Sequence, residues 1–162
     1  MAATYSDNEI SALIAEKKPL PANWRSRIEL RNKRGHKERE IEVTGEAGNV
    51  FRVILRQSNF NPLDFSVILM LNPPETNQLF RLRRYNGKSH EHTNRIEGNS
   101  FYDFHIHQAT ERYQPLGGRE DAFAEPSEAF TDFHSAVRCM FRECGFHVPD
   151  NHGPTLFGEF DL

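Results

Sequence analysis

The chain has 162 residues, with 20 Lys+Arg against 23 Asp+Glu and a formal net charge of −3. That length fits one domain with a sizeable core, and 37% hydrophobic with 11% aromatic residues argues against disorder. No apolar run approaches the ~18–20 residues of a membrane span, and residues 1–16 lack the basic start and apolar block of a secretory signal.

The chain opens on a short helix over residues 6–17. Ser6 and Glu9 have capping-box spacing, Ile10, Leu13 and Ile14 make one apolar stripe, and Pro19 ends it. From Trp24 the period reads as two, with Trp24, Ser26, Ile28 and Leu30 facing one way. Lys33-Arg34-Gly35-His36-Lys37 is a basic turn, a solvated hairpin tip able to grip phosphates. A return strand carries Ile41 and Val43. Strands Val50–Gln57, Phe65–Leu71, Gln78–Tyr85 and Phe101–Gln108 follow, with Asn72-Pro73-Pro74 closing the most apolar one. The short turns leave no room for helical crossovers. A single α+β domain over residues 1–162 is therefore expected. Its antiparallel meander of about six strands spans residues 24–108.

A helix over 127–144 closes the fold. Ser127 is its expected cap, and Phe130, Phe133, Val137, Met140, Phe141 and Cys144 form its apolar stripe, packed on one face of the sheet. Cys139 and Cys144 read as buried thiols of a reducing cytosol. The tail, 149–162, is expected to dock through Phe157 and Phe160.

The chemistry concentrates where four of the eight histidines fall, at His90, His92, His105 and His107. These are two H-x-H pairs. Alternation puts Tyr102, Phe104 and Ile106 toward the core and Asp103, His105 and His107 on the opposite face. If the preceding strand pairs here, Arg81, Arg83 and Tyr85 lie beside that row. Imidazole titrates near ~6.5, so one histidine can accept a proton while another donates one. RNA brings its own nucleophile, the 2′-hydroxyl. A metal-independent ribonuclease then needs only a base, an acid and cationic donors to phosphate. The candidate catalytic residues are His90, His92, His105, His107 and Tyr85. The candidate substrate-binding residues are Arg81, Arg83, Arg84, Asn86 and Lys88. A competing metal reading uses His90, His92 and Glu97, an H-x-H-x4-E string similar to the first metal motif of cupins.

Arg84-Tyr85-Asn86 followed by His90-x-His92, with Ser127-Glu128-Ala129-Phe130-Thr131-Asp132-Phe133 downstream, resembles the signature of the TumE-like toxins of bacterial toxin–antitoxin modules. The resemblance covers roughly residues 79–141. It lacks the family's Asp between Tyr and Asn, and it places about 20 residues, including His105 and His107, before the helix. The resemblance implies a growth-inhibiting, RNA-directed cytoplasmic protein that is neutralised by a cognate antitoxin. It leaves a homodimer open and calls for no cofactor. The alternative class is a non-enzymatic module that binds nucleic acid or protein through the same polar face.

The mean charge conceals a bipolar chain. Residues 1–95 carry 16 Lys+Arg against 11 Asp+Glu, or +5, and residues 96–162 carry 4 against 12, or −8. The basic half can meet phosphate while the acidic half stays solvated or meets a basic partner.

Overall fold

A computed structural model describes residues 4–116 and 119–148. The tail and its two phenylalanines lie outside the described residues. In chain order the elements are α1 (Asp7–Ala15), β1 (Lys18–Pro19), α2 (Trp24–Arg27), β2 (Arg31–Asn32), β3 (His36–Thr44), β4 (Val50–Ser58), β5 (Phe65–Asn72) and β6 (Phe80–Asn86). Then come β7 (His92–Thr93), β8 (Ser100–Phe101), β9 (His105–Gln108), a 3-10 turn (Glu111–Leu116), β10 (Phe123–Pro126), α3 (Phe133–Glu143) and β11 (Phe146–His147).

The architecture is α+β. Seven antiparallel strands lie in the order β10-β9-β6-β5-β4-β3-β2, a meander broken only by the small β7–β8 hairpin. Alternation drives it: Phe51, Val53 and Leu55 on β4 and Val67, Leu69 and Leu71 on β5 are buried on one face. Both longer helices cover that face with Ile10, Leu13, Phe133, Val137, Met140 and Phe141. The opposite face stays open. Its cross-strand rows include Glu38, Arg56, Ser66, Asn86, His105 and Pro126, and next to it Glu40, Ile54, Ile68, Arg84, His107 and Ala124.

Four expectations change. Trp24 starts a helical turn, not a strand, because Trp24 and Ile28 bury together at a spacing of four, which suits a helix as well as a strand. The sheet gains β10 and so extends past residue 108. The run 101–108 divides: Ser100–Phe101 pairs with His92–Thr93, and only His105–Gln108 joins the main sheet. Tyr102 is consequently exposed at 51% and is not a core residue. The last helix begins at Phe133, capped by Asp132, not Ser127. Asp132 Oδ1 accepts the Ser135 N–H at 2.8 Å and Ser135 Oγ accepts the Asp132 N–H at 3.1 Å, a reciprocal cap. Ser127 instead donates its N–H to the Phe104 carbonyl.

The C-terminal ends of α1 and α3 meet at Lys18. Its fully buried ammonium donates to the carbonyls of Leu13, Ile14 and Glu16 at the end of α1, at 2.8–3.0 Å, and to that of Cys144 at the end of α3, at 2.7 Å. Phe51 lies 4.4 Å beneath it. These carbonyls form the negative ends of two helices, so one cation serves both. Beside it, β1 and β11 pair in parallel. Among the described residues, no helix is long and apolar enough to cross a membrane.

Candidate active site

The site begins with a flaw in β6. Met70 pairs with Arg81 and Leu69 with Arg83, so Leu82 is an extra residue, a bulge. The alternation is reset there. Arg84 and Asn86 thus point to the open face, directly opposite His107 and His105. Arg83 and Tyr85 point to the helix side. The Tyr85 hydroxyl donates to Glu143 at 2.6 Å and sits 3.6 Å from Cys144 Sγ, with burial the main cause of its raised pKa. The expected row of Arg81, Arg83 and Tyr85 beside the histidines is therefore replaced by Arg84 and Asn86.

After Asn86 the chain crosses close under the 59–64 loop. A Cβ on Gly87 would collide with the Leu63 carbonyl, so only glycine passes here. The chain then returns as the β7–β8 hairpin over the open face. Asn94, buried to 1% exposure, clamps that hairpin down: its Oδ1 accepts the Ala124 N–H at 2.9 Å and its Nδ2 donates to the Ala124 carbonyl at 2.8 Å. Those backbone partners fix the amide's orientation. His92 Nε2, 2.8 Å from Asn94 Oδ1, must carry the proton, which leaves Nδ1 as the basic nitrogen. The hairpin tip is held by Glu97, which accepts from Arg112 and from the Tyr113 hydroxyl.

All four clustered histidines come together. Ring centroids lie 4.8 Å apart for His92 and His107, 5.0 Å for His105 and His107, 5.6 Å for His92 and His105, and 6.3 Å for His90 and His105. The inner pair is buried. His105 Nδ1 donates to its neighbour Asp103's carbonyl at 2.7 Å, and His107 Nδ1 to that of Asp121 at 2.8 Å. Burial is the main cause that holds His105 down at a pKa of about 4 and His107 at about 2, and the Arg84 charge adds to both. Both rings are neutral near pH 7. His105 Nε2 is buried with no hydrogen-bond partner among the described residues.

Over this pair lies a recess of about 310 Å³, lined by Arg84, Asn86, His90, His92, Arg95, His107, Tyr113 and Arg119 among others. Arg84 Nε contacts the fully buried Asp121 carboxylate at 3.2 Å. Arg95 and Arg119 have no ion-pair partner among the described residues. The recess therefore presents cationic groups in excess of carboxylates, next to imidazoles with free nitrogens. It can bind phosphate and move protons.

The expected residues divide accordingly. Arg84, Asn86, His90, His92 and His107 line the recess, and His105 supports it from below. Arg81 is turned to Glu120 at 3.4 Å, Arg83 to Glu143 at 3.5 Å, and Lys88 is an exposed loop residue outside the lining. Glu97 is committed to Arg112 and Tyr113, so the set His90, His92 and Glu97 is not assembled. Among the described residues, no group of three His, Cys, Asp or Glu side chains is disposed to hold a metal ion. Sequence reasoning missed Asn94, Arg95, Arg119 and Asp121, which sit in loops where no period marks them. Comparisons with protein families, curated proteins and solved structures yield no match.

Proposed function

We propose that this protein cleaves RNA without a metal, as the toxin of a bacterial toxin–antitoxin or defence module acting in the cytoplasm. The observation that carries the reading is the gathering of four imidazoles with Arg84, Arg95 and Arg119 on one open sheet face. The toxin role itself is supported by the Arg84-Tyr85-Asn86 and His90-x-His92 pattern, and it makes a cognate antitoxin the expected partner.

His92 is the base, since Asn94 holds its Nδ1 free of a proton. It removes the proton of a 2′-hydroxyl, whose oxygen bonds to the adjacent phosphorus. The bond from phosphorus to the 5′-oxygen breaks. His90, exposed at the rim with Nδ1 near Ser89 Oγ, supplies the proton that the leaving oxygen takes. The products are a 2′,3′-cyclic phosphate and a 5′-hydroxyl. Arg84, Arg95 and Arg119 offset the charge that builds on the phosphate oxygens. His105 and His107, neutral and buried, hold the base in place.

The test is direct. Wild-type protein should cut single-stranded RNA in the presence of chelator, and His92→Ala should lower the rate about 10²-fold or more. Wild-type expression should arrest bacterial growth where the variant does not. RNA left intact and equal growth of both strains would overturn the reading. Binding of RNA without cleavage would favour a non-enzymatic module.

A further inference from the structure

The open face carries a second cationic recess. It measures about 150 Å³ and is lined by Arg34, His36, Arg56, Ser58, Asp64 and Ser66 among others. It contains the basic turn that the sequence singles out. Among the described residues, neither Arg34 nor Arg56 has an ion-pair partner, while His36 faces Glu38 at 3.4 Å. The other acids of β3, Glu40 and Glu42, are held by Arg52 at 3.0 and 3.7 Å, so the two guanidiniums of the lining face one lining carboxylate, Asp64.

Two polar threads join this recess to the histidine site. Ser66 Oγ donates to Asn86 Oδ1 at 2.8 Å, and Asn86 lines the first recess. Ser89 Oγ lies 3.5 Å from Asp64 Oδ1 and 3.1 Å from His90 Nδ1. Arg56, Ser66, Asn86 and His105 occupy one cross-strand row. Three strand spacings make the path about 14 Å long.

An exposed aromatic ring stands beside the second recess. Phe60 is 85% exposed. Its loop is fixed, since Ser58 Oγ accepts the N–H groups of Phe60 and Asn61 at 3.0 and 3.2 Å, and Asn59 donates to the Gly35 carbonyl at 3.2 Å. A Cβ on Gly35, a lining residue, would touch the Phe60 ring at 3.7 Å. Unpaired guanidiniums next to a bare ring are the parts of a single-strand platform: charge tracks the backbone and the ring stacks a base.

We infer that the recess of Arg34 and Arg56 is a second phosphate subsite, with Phe60 stacking the adjoining base, and that the substrate is single-stranded RNA laid across the open sheet face. The assignment rests on the proposed RNA reading for the nature of its ligand. A dinucleoside monophosphate has one phosphodiester and fills only the histidine site. A longer strand fills both.

The experiment compares fluorescein-labelled single-stranded RNA of two and of eight nucleotides, on wild-type protein and on Arg56→Ala, Phe60→Ala and Phe60→Trp. The alanine variants should each weaken octamer binding about tenfold and leave the dinucleotide unchanged. Arg56→Ala should also make the salt dependence of octamer affinity shallower by about 0.7 in log–log slope. Phe60→Trp should keep wild-type affinity. Equal losses for both lengths, or no loss for either, would overturn the subsite. If wild type binds the octamer without cutting it, the cleavage reading fails while the subsite is still decided by binding.

Discussion

Two neutral histidines under the recess make the protein sensitive to acid. An unfolded histidine takes a proton near ~6.5, whereas His105 does so only near about 4 and His107 near about 2. Below ~6.5 the unfolded chain thus binds more protons than the folded one. Stability is complete above that pH and falls as pH drops, through about 4 for His105 and on toward about 2 for His107. Burial is the main cause at both rings, and coulombic repulsion from Arg84 and His92 lowers each of them further. Melting followed by circular dichroism should show a lower midpoint at pH 5 than at pH 7.5. His105→Gln/His107→Gln should show a flatter dependence; the same slope in wild type and variant would refute this account.

At the scale of the element, α3 depends on the Asp132 cap, five residues beyond the expected Ser127. Asp132→Ala should cost about 1 kcal/mol, measured by urea denaturation, with the seven-stranded sheet unchanged. Ser127 is the cap that the sequence predicts. The choice falls to Asp132 because residues 123–126 are drawn into β10 and Ser127 bonds back to Phe104. The alternating strand β4 and the Ser6/Glu9 start of α1 were legible, since each has a single period that its burial obeys, and β5 was legible as the most apolar run. α2 was not, because its two buried residues fit both periods. β10 was not, because four residues ending in proline carry little pattern of their own. The H-x-H pairs were legible as one face. Their true neighbours, Arg84 and Asn86, were not, because one bulged residue at Leu82 shifts everything after it to the other side.

Across the whole molecule, two polarities share one sheet: a dry side under the helices and an open, polar side. The clamp on the dry side is Lys18, whose burial draws its pKa down to about 8. Near pH 7 it is charged, and its ammonium faces helix-end carbonyls. Lys18→Met should cost about 3 kcal/mol, because several buried carbonyls lose their donor. The clamp also has a kinetic consequence. It joins residue 18 to residue 144, a separation of 126 positions. Contacts that close so long a loop tend to form after the folding barrier has been crossed. Stopped-flow measurements on Lys18→Met should therefore show nearly unchanged refolding and a much faster unfolding limb. Lys18 then acts as a latch that sets how long the folded molecule lasts, with little say in how quickly it forms.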